Sequence, residues 1–420
     1  MRLRKKVKAG ALQFVLFMGA VIAVLLMTFV LLNHTHQLFD KKTTKVVEVV
    51  KRADMGIQYA MGHNLQSNVP TSLELGLDDD IEVTVTKSYW GIFETYRAES
   101  KFKKIKFTKV ALVGGGLEKD FPALYLKDND RPMIIAGSAK ITGSAYLPKQ
   151  GIRPGGISGR FFQNRIPVFG STRESGKTLP QVDGGVKANL KQMLMDDKTK
   201  SSVEQLRFKP NLVATNSFES PTQYIYGDVL RFSEGELKGN IVVKTQGSIT
   251  IGKGCTIQDV VFVAPRITVE DGFTGRLQAL ATEELQIGKE VILGYPSALI
   301  VDRENSSNPK NRRAPHILIR DGTKINGVLG YFGSNEDNVL YPQIVVSEKA
   351  LIQGEVFCEK ALELKGTVLG KVATDSFIAM ENGSIYQNHL FNGTIDATKL
   401  SLEYGGLLLD SDKTVVQWLY

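Results

Sequence analysis

Cysteine is nearly missing from this 420-residue chain, which holds only Cys255 and Cys358. A disulfide framework is thereby excluded as the source of stability, and the fold must rest on a buried core. The two could bridge only if folding brought their Cα atoms within about 6 Å, so two buried, inert thiols are expected. Histidine is almost as scarce: His34, His36, His63, His316 and His389, with no CxxC and no HExxH spacing. That removes the common metal-site patterns and leaves His34 and His36 as interfacial polar residues. No GxSxG, Walker loop or GxGxxG after a strand is present, and Gly114-Gly115-Gly116 lacks the helix and lysine that phosphate cradling needs. No catalytic residue, metal ligand or cofactor is therefore assigned. Proline is absent before Pro70, so nothing of that kind interrupts a long helix at the start.

What is present points to strands. Forty glycines among abundant Val, Ile and Leu suggest many short strands closed by tight turns. The net charge of +8 is spread along the chain, with local clusters at Arg2–Lys8, Lys41–Lys45 and Lys101–Lys109, a pattern that argues against nucleic acid as the partner.

Ala11 to Leu32 is an apolar run interrupted only by Gln13, Gly19 and Thr28. As a helix it is long enough for a hydrocarbon core of about 30 Å, which makes membrane lipid the first partner expected, through residues 11–32. Arg2, Arg4, Lys5, Lys6 and Lys8 crowd its N-terminal flank, so the positive-inside rule puts residues 1–10 in the cytoplasm and the chain from residue 33 across the membrane. A cleaved secretory signal is the rival reading. The run exceeds a usual h-region, and Asn33-His34-Thr35-His36-Gln37 has no small-x-small cleavage pattern. The expectation is a single-pass protein of a bacterial inner membrane, its bulk extracytoplasmic. Val46, Val50, Ala53, Ile57 and Ala60 recur at spacings of three and four, so the helix should continue through residues 33–66 with its second half packed on a soluble domain.

Lys8-Ala9-Gly10 followed by Ala11-Leu12 and an unbroken apolar run resembles the N-terminus of type IV prepilins and pseudopilins. The resemblance implies a peptidase cut after Gly10, a mature chain beginning at Ala11, and a long helix carrying a globular head. Most members of that family have Glu at the fifth mature position, where this chain has Val15 as in the minor members that cap or initiate a filament. An uncleaved signal anchor is the alternative.

Beyond Pro70 the alternation of Ile81–Val85, Ile92–Ala98 and Phe102–Val110, with Val110–Val113 and Leu124–Leu126, predicts a small antiparallel domain over residues 67–132. Asp78-Asp79-Asp80 reads as a solvated turn rather than a cation site. Residues 133–226 read as short strands, a long Gly-rich passage from Leu147 to Gln181 and a short helix near Lys187–Asp197. That passage mixes Lys149, Arg153, Arg160, Arg165, Arg173 and Lys177 with Phe161-Phe162, which suits an anionic glycan or a partner, or else a plain excursion across a β face.

Residues 227–420 carry a loose repeat. Ser248-Ile-Thr-Ile, Arg266-Ile-Thr-Val and Glu284-Leu-Gln-Ile are followed by His316-Ile-Leu-Ile, Gln343-Ile-Val-Val and Ala361-Leu-Glu-Leu. Short strands with Gly turns at a fixed period predict a parallel β-helix, or β-solenoid, with a C-terminal cap at Thr414–Tyr420. The repeat resembles bactofilins and related polymer-forming β-helices, although insertions at Asp302–Ala314 and Tyr331–Tyr341 break its period. Asp259, Glu270, Asp271, Glu283, Glu284, Glu290 and Asp302 are the carboxylates that could line a glycan-cleaving groove, or keep a β face soluble.

The fold class expected is thus an α+β anchor region followed by mainly β. The function expected is a non-enzymatic, membrane-anchored envelope protein, a structural or scaffold component of a pilus-like or secretion-type assembly. Its partners would be proteins of that assembly, or further copies of itself meeting through the helix or the solenoid. The alternative is an extracytoplasmic β-helix enzyme or lectin acting on envelope or extracellular polysaccharide.

Overall fold

A computed structural model describes residues 9–75, 80–195, 205–303, 315–333, 340–409 and 411–419. One long apolar N-terminal helix is followed by a mostly β remainder, in which a small antiparallel sheet is joined to a large parallel one.

Helix α1 runs from Ala9 to Met61 without a break. The amides of Gly62 and His63 bond back three residues to the carbonyls of Tyr59 and Ala60, which tightens and ends the last turn. The helix therefore ends at Met61, within the segment 33–66. From Gly10 to Thr44 every side chain is exposed, whereas Val49, Ala53, Ile57 and Ala60 are fully buried. Val46, expected in that stripe, is 40% exposed, and Val49 is buried instead.

That sheet is built from β1 (Pro70–Ser72), β2 (Glu82–Trp90), β3 (Phe93–Phe102) and β4 (Ile105–Gly115), in that order, and closed by the C-terminal strand Lys413–Leu419 beside β4. Strand alternation gives it two apolar faces. Val83, Val85, Tyr96, Ala98, Ala111 and Val113 meet α1. Phe93, Val110 and Leu112 meet Val261, Leu280, Ile300, Val328 and Phe357 of the parallel sheet. The antiparallel sheet is thus the middle layer of three. Two expectations change here: Thr414–Leu419 completes this sheet instead of capping the last coil, and Leu124–Leu126 belongs to the parallel sheet.

In the parallel sheet the repeats fall on ladders. Ile267 pairs with Leu285, Leu285 with Ile317, Ile317 with Ile344, and Ile344 with Leu362. A second ladder runs Ala279, Leu299, Leu329, Val356, Val372, Leu124, Ala145, Thr172. Strands Thr274–Ile287 and Leu351–Leu364 turn corners and pair on two sides, so with four others they close a six-stranded barrel. A simple sequential solenoid over residues 227–420 is therefore not what forms. Residues 124–174, expected to divide between the small domain and an irregular region, stack onto strand Thr367–Glu381.

Corners depend on glycine at one stacked set, Gly327, Gly354 and Gly370, which pair in register with φ of 148°, 145° and 153°. A Cβ on Gly354 would fall on the carbonyl oxygen of Gly327. Helix α2 (Gly184–Met195) begins where Asp183 Oδ1 accepts from the amides of Gly185 and Val186, and buries Val186, Leu190 and Leu194 at the seam between the sheets. Met195, the last residue of the helix, is 56% exposed.

Candidate functional site

Among the described residues, the longest run of apolar side chains left exposed is the first half of α1. Leu12, Phe14, Leu16, Phe17, Leu25 and Phe29 are each more than 60% exposed, and none of the helix's most apolar window is buried. An exposed apolar surface of this extent marks contact with lipid or another protein, and the helix is long and apolar enough to cross a membrane. Gly10 and Ala11, the candidate peptidase site, lie on this helix, and a Cβ on Gly10 would meet nothing within 4 Å.

The second half of α1 is fixed to the head by small residues. A Cβ on Gly56 would lie 2.8 Å from Val83 Cγ1, so the glycine sets how closely the helix approaches β2. Lys109 on β4 pairs with Asp54 and covers the Trp418 ring at 3.7 Å, tying helix, sheet and C-terminal strand together.

Beyond the helix end, the sheet face holds an ionic cluster that the sequence reading missed. Glu94, 1% exposed, has Lys87 Nζ 2.5 Å from Oε1 and Lys413 Nζ 2.8 Å from Oε2. The Tyr96 hydroxyl donates to Glu94 Oε2 at 2.9 Å and accepts from Lys413 at 2.9 Å. Burial pushes the Glu94 carboxyl up, but the hydrogen bonds from Lys413 and Lys87 outweigh it and hold it below the usual carboxylate range. For Lys87 burial works downward, and the bond and charge of Glu94 hold the ammonium above its ordinary value. Burial pushes the Tyr96 phenol up. The one legible signal was the alternation Phe93-Glu-Thr-Tyr, which puts Glu94 and Tyr96 on the same face.

The carboxylates that could have formed a catalytic pair are committed elsewhere. Asp259 binds Arg276 at 2.6 Å, Glu270 binds Arg231 at 2.8 Å, and Asp271 accepts the Lys289 amide at 2.7 Å. Glu283 lies 3.9 Å from Arg266, Glu284 accepts from Gln286 at 2.7 Å, and Asp302 is buried. Glu290 is a turn residue with φ of 55°. Three cations of the basic passage are similarly engaged: Arg160 pairs with Glu381 and lies over Phe391, Arg173 donates to the Tyr146 hydroxyl, and Lys177 pairs with Asp128 and Asp130.

A cleft of about 490 Å³ opens between the parallel strands and the connecting segments around Gly116–Pro122 and Thr178–Gln181, lined by Phe121, Tyr125, Leu179, Pro180 and Phe357. Two of its charged groups satisfy one another: Glu355 accepts from the Leu407 amide and pairs with Lys371 at 2.7 Å. Cys255 and Cys358 are both buried and free, and burial raises each thiol, Cys358 to about 12. His63 stacks on Tyr59, His316 on Tyr331, and no group of metal-ligating side chains occurs among the described residues. Of Asp78-Asp79-Asp80, only Asp80 lies within the described residues.

No family model, no curated protein and no solved structure matches this chain.

Proposed function

We propose that this chain is a single-pass inner-membrane protein, N-terminus in the cytoplasm, that serves as a structural component of a pilus-like or secretion-type envelope assembly. The observation that carries this reading is the division of α1: residues 10–44 are all exposed, while Ala53, Ile57 and Ala60 are seated in the antiparallel sheet. Such a helix presents its free half to lipid or to neighbouring helices. The second face of the sheet carries the parallel coils, so they stand on the side of the head away from the helix. In an assembly built around the helices, that arrangement would display the coils outward.

The parallel coils are read here as a modified β-solenoid, supported by the in-register ladders and by the stacking of apolar rows such as Ala279, Leu299, Leu329 and Val356. The barrel closure is then a consequence of strands that continue around corners. Solenoid and helix alike offer long surfaces to other proteins or to further copies.

The test is N-terminal sequencing and intact mass of the membrane-extracted protein, from hosts with and without prepilin peptidase. A peptidase-dependent N-terminus at Ala11 is expected. An N-terminus at Met1 or Arg2 in both hosts would overturn the pilus-like reading. Because Gly10 lies clear of the fold, its replacement by Val should abolish the cut with no loss of head stability.

A further inference from the structure

We propose that the bilayer-facing pole of the head docks on the headgroups of anionic phospholipids. The proposal rests on the membrane-spanning part of the reading above, not on the pilus-like part.

Two contacts give the direction. Lys45 lies over the Phe102 ring at 5.3 Å, and nine residues further from the membrane Asp54 pairs with Lys109. The tight turn between β3 and β4, at Lys103, is therefore the end of the head nearest the spanning segment. It exposes Lys101, Lys103 and Lys104, and Lys41 and Lys42 are exposed on the helix just below. None of these five makes an ion pair among the described residues, whereas Lys45 is matched by Glu48 and Lys106 by Glu99. Glu82, opposite Lys101 in the strand register, and Asp40, beside Lys41, offset part of this charge, and the five lysines still outnumber them; cations in excess on a solvated pole repel one another unless something anionic faces them.

The surface that faces them is the bilayer. From Leu32 to Lys45 the helix rises about 20 Å, of which the headgroup layer takes about 6 Å. An upright helix holds the pole more than one Debye length, about 8 Å, from the charges. A tilt of about 20°, ordinary for a single span, swings one side of the head down. Lysine ammoniums on flexible stems suit a diffuse field of headgroup phosphates better than a single defined phosphate. Anionic lipid would thus select the lean that brings the β3–β4 turn to the surface.

The test uses the full chain reconstituted in lipid nanodiscs, with a donor fluorophore on Lys103→Cys and acceptor-labelled lipid headgroups. Both native thiols are buried, so the introduced one takes the label. Energy transfer should be about twofold stronger with anionic than with zwitterionic lipid at about 50 mM salt, and the difference should vanish at about 500 mM. Adding Lys42→Glu and Lys104→Glu should remove the lipid dependence while leaving the melting temperature unchanged, since both are exposed and neither faces a carboxylate across a strand pair. Transfer independent of lipid charge, or unaffected by the two reversals, would overturn the proposal. A chain that failed to enter the nanodisc would overturn the membrane span and this inference with it, and peptidase processing at Gly10 would remain a separate question.

Discussion

Glu94 is the residue on which the sheet's order turns, because its carboxylate binds cations from two different strands, Lys87 on β2 and Lys413 at the C-terminus. Removing one member of a buried ionic group leaves uncompensated charge and costs about 3 to 5 kcal/mol. Glu94→Gln should therefore lower stability by about 3 kcal/mol in chemical unfolding, with two lysines left facing each other. The pH dependence follows from the directions of the shifts. A carboxyl held below its unfolded value of about 4.3 contributes stability above that pH and loses it as pH falls through the lower folded value. Lys87, held above its unfolded value of about 10.4, contributes below that pH and loses its share only as pH rises through the higher folded value. Melting should be flat through the neutral range and fall in acid, and Glu94→Gln should flatten the acid limb; an unchanged limb in the variant would place the acid sensitivity in other carboxylates. None of this was legible beyond the alternation in β3, because Lys413 lies more than 300 residues away and carries no local sign of its partner.

At the scale of elements, periodicity spoke plainly where burial is one-sided. The stripe ending in Ala53, Ile57 and Ala60 is buried as its spacing predicts, and the tetrads from Arg266, Glu284, His316, Gln343 and Ala361 meet on one ladder. Both patterns are set by which side chains must leave water, and that is written locally. Two substitutions separate the seat of α1 from the corners of the parallel sheet. Gly56→Val overpacks the helix against Val83 and Val85 and should cost about 1 to 3 kcal/mol. It should also loosen α1, seen as faster amide exchange over residues 49–60. Gly354→Ala places a Cβ on the Gly327 carbonyl at a φ of 145° and should cost a similar amount, about 1 to 3 kcal/mol, with exchange rising in the parallel strands instead. Equal exchange changes in both regions from either variant would mean that the two layers unfold as one.

For the molecule as a whole, the stacking order departs from the chain order, and this the sequence conceals. Strand Leu124–Leu126 lies beside Val372–Thr374, and Lys140–Thr142 beside Thr394–Asp396. Any Gly-punctuated apolar triplet can join any such ladder, so composition names the strands but not their neighbours. The same blindness hid the position of the last strand. Deleting residues 413–420 should uncover the edge of β4 and strip Glu94 of one cation, leaving β3–β4 open to limited proteolysis while the parallel sheet stays resistant. Cleavage confined to the parallel sheet would contradict this.

The pairing of Val415 with Val113 also has a meaning in time. In a chain made from its N-terminus, α1, β2, β3 and β4 exist long before the strand that finishes their sheet. About 300 residues must emerge before that loop can close, an entropic cost that grows only slowly with length but cannot be met early. The parallel coils can form in the meantime between the two halves of the head. Residues 413–419 are then the ones that lock the seat of α1, so a chain interrupted before them would carry an unfinished sheet.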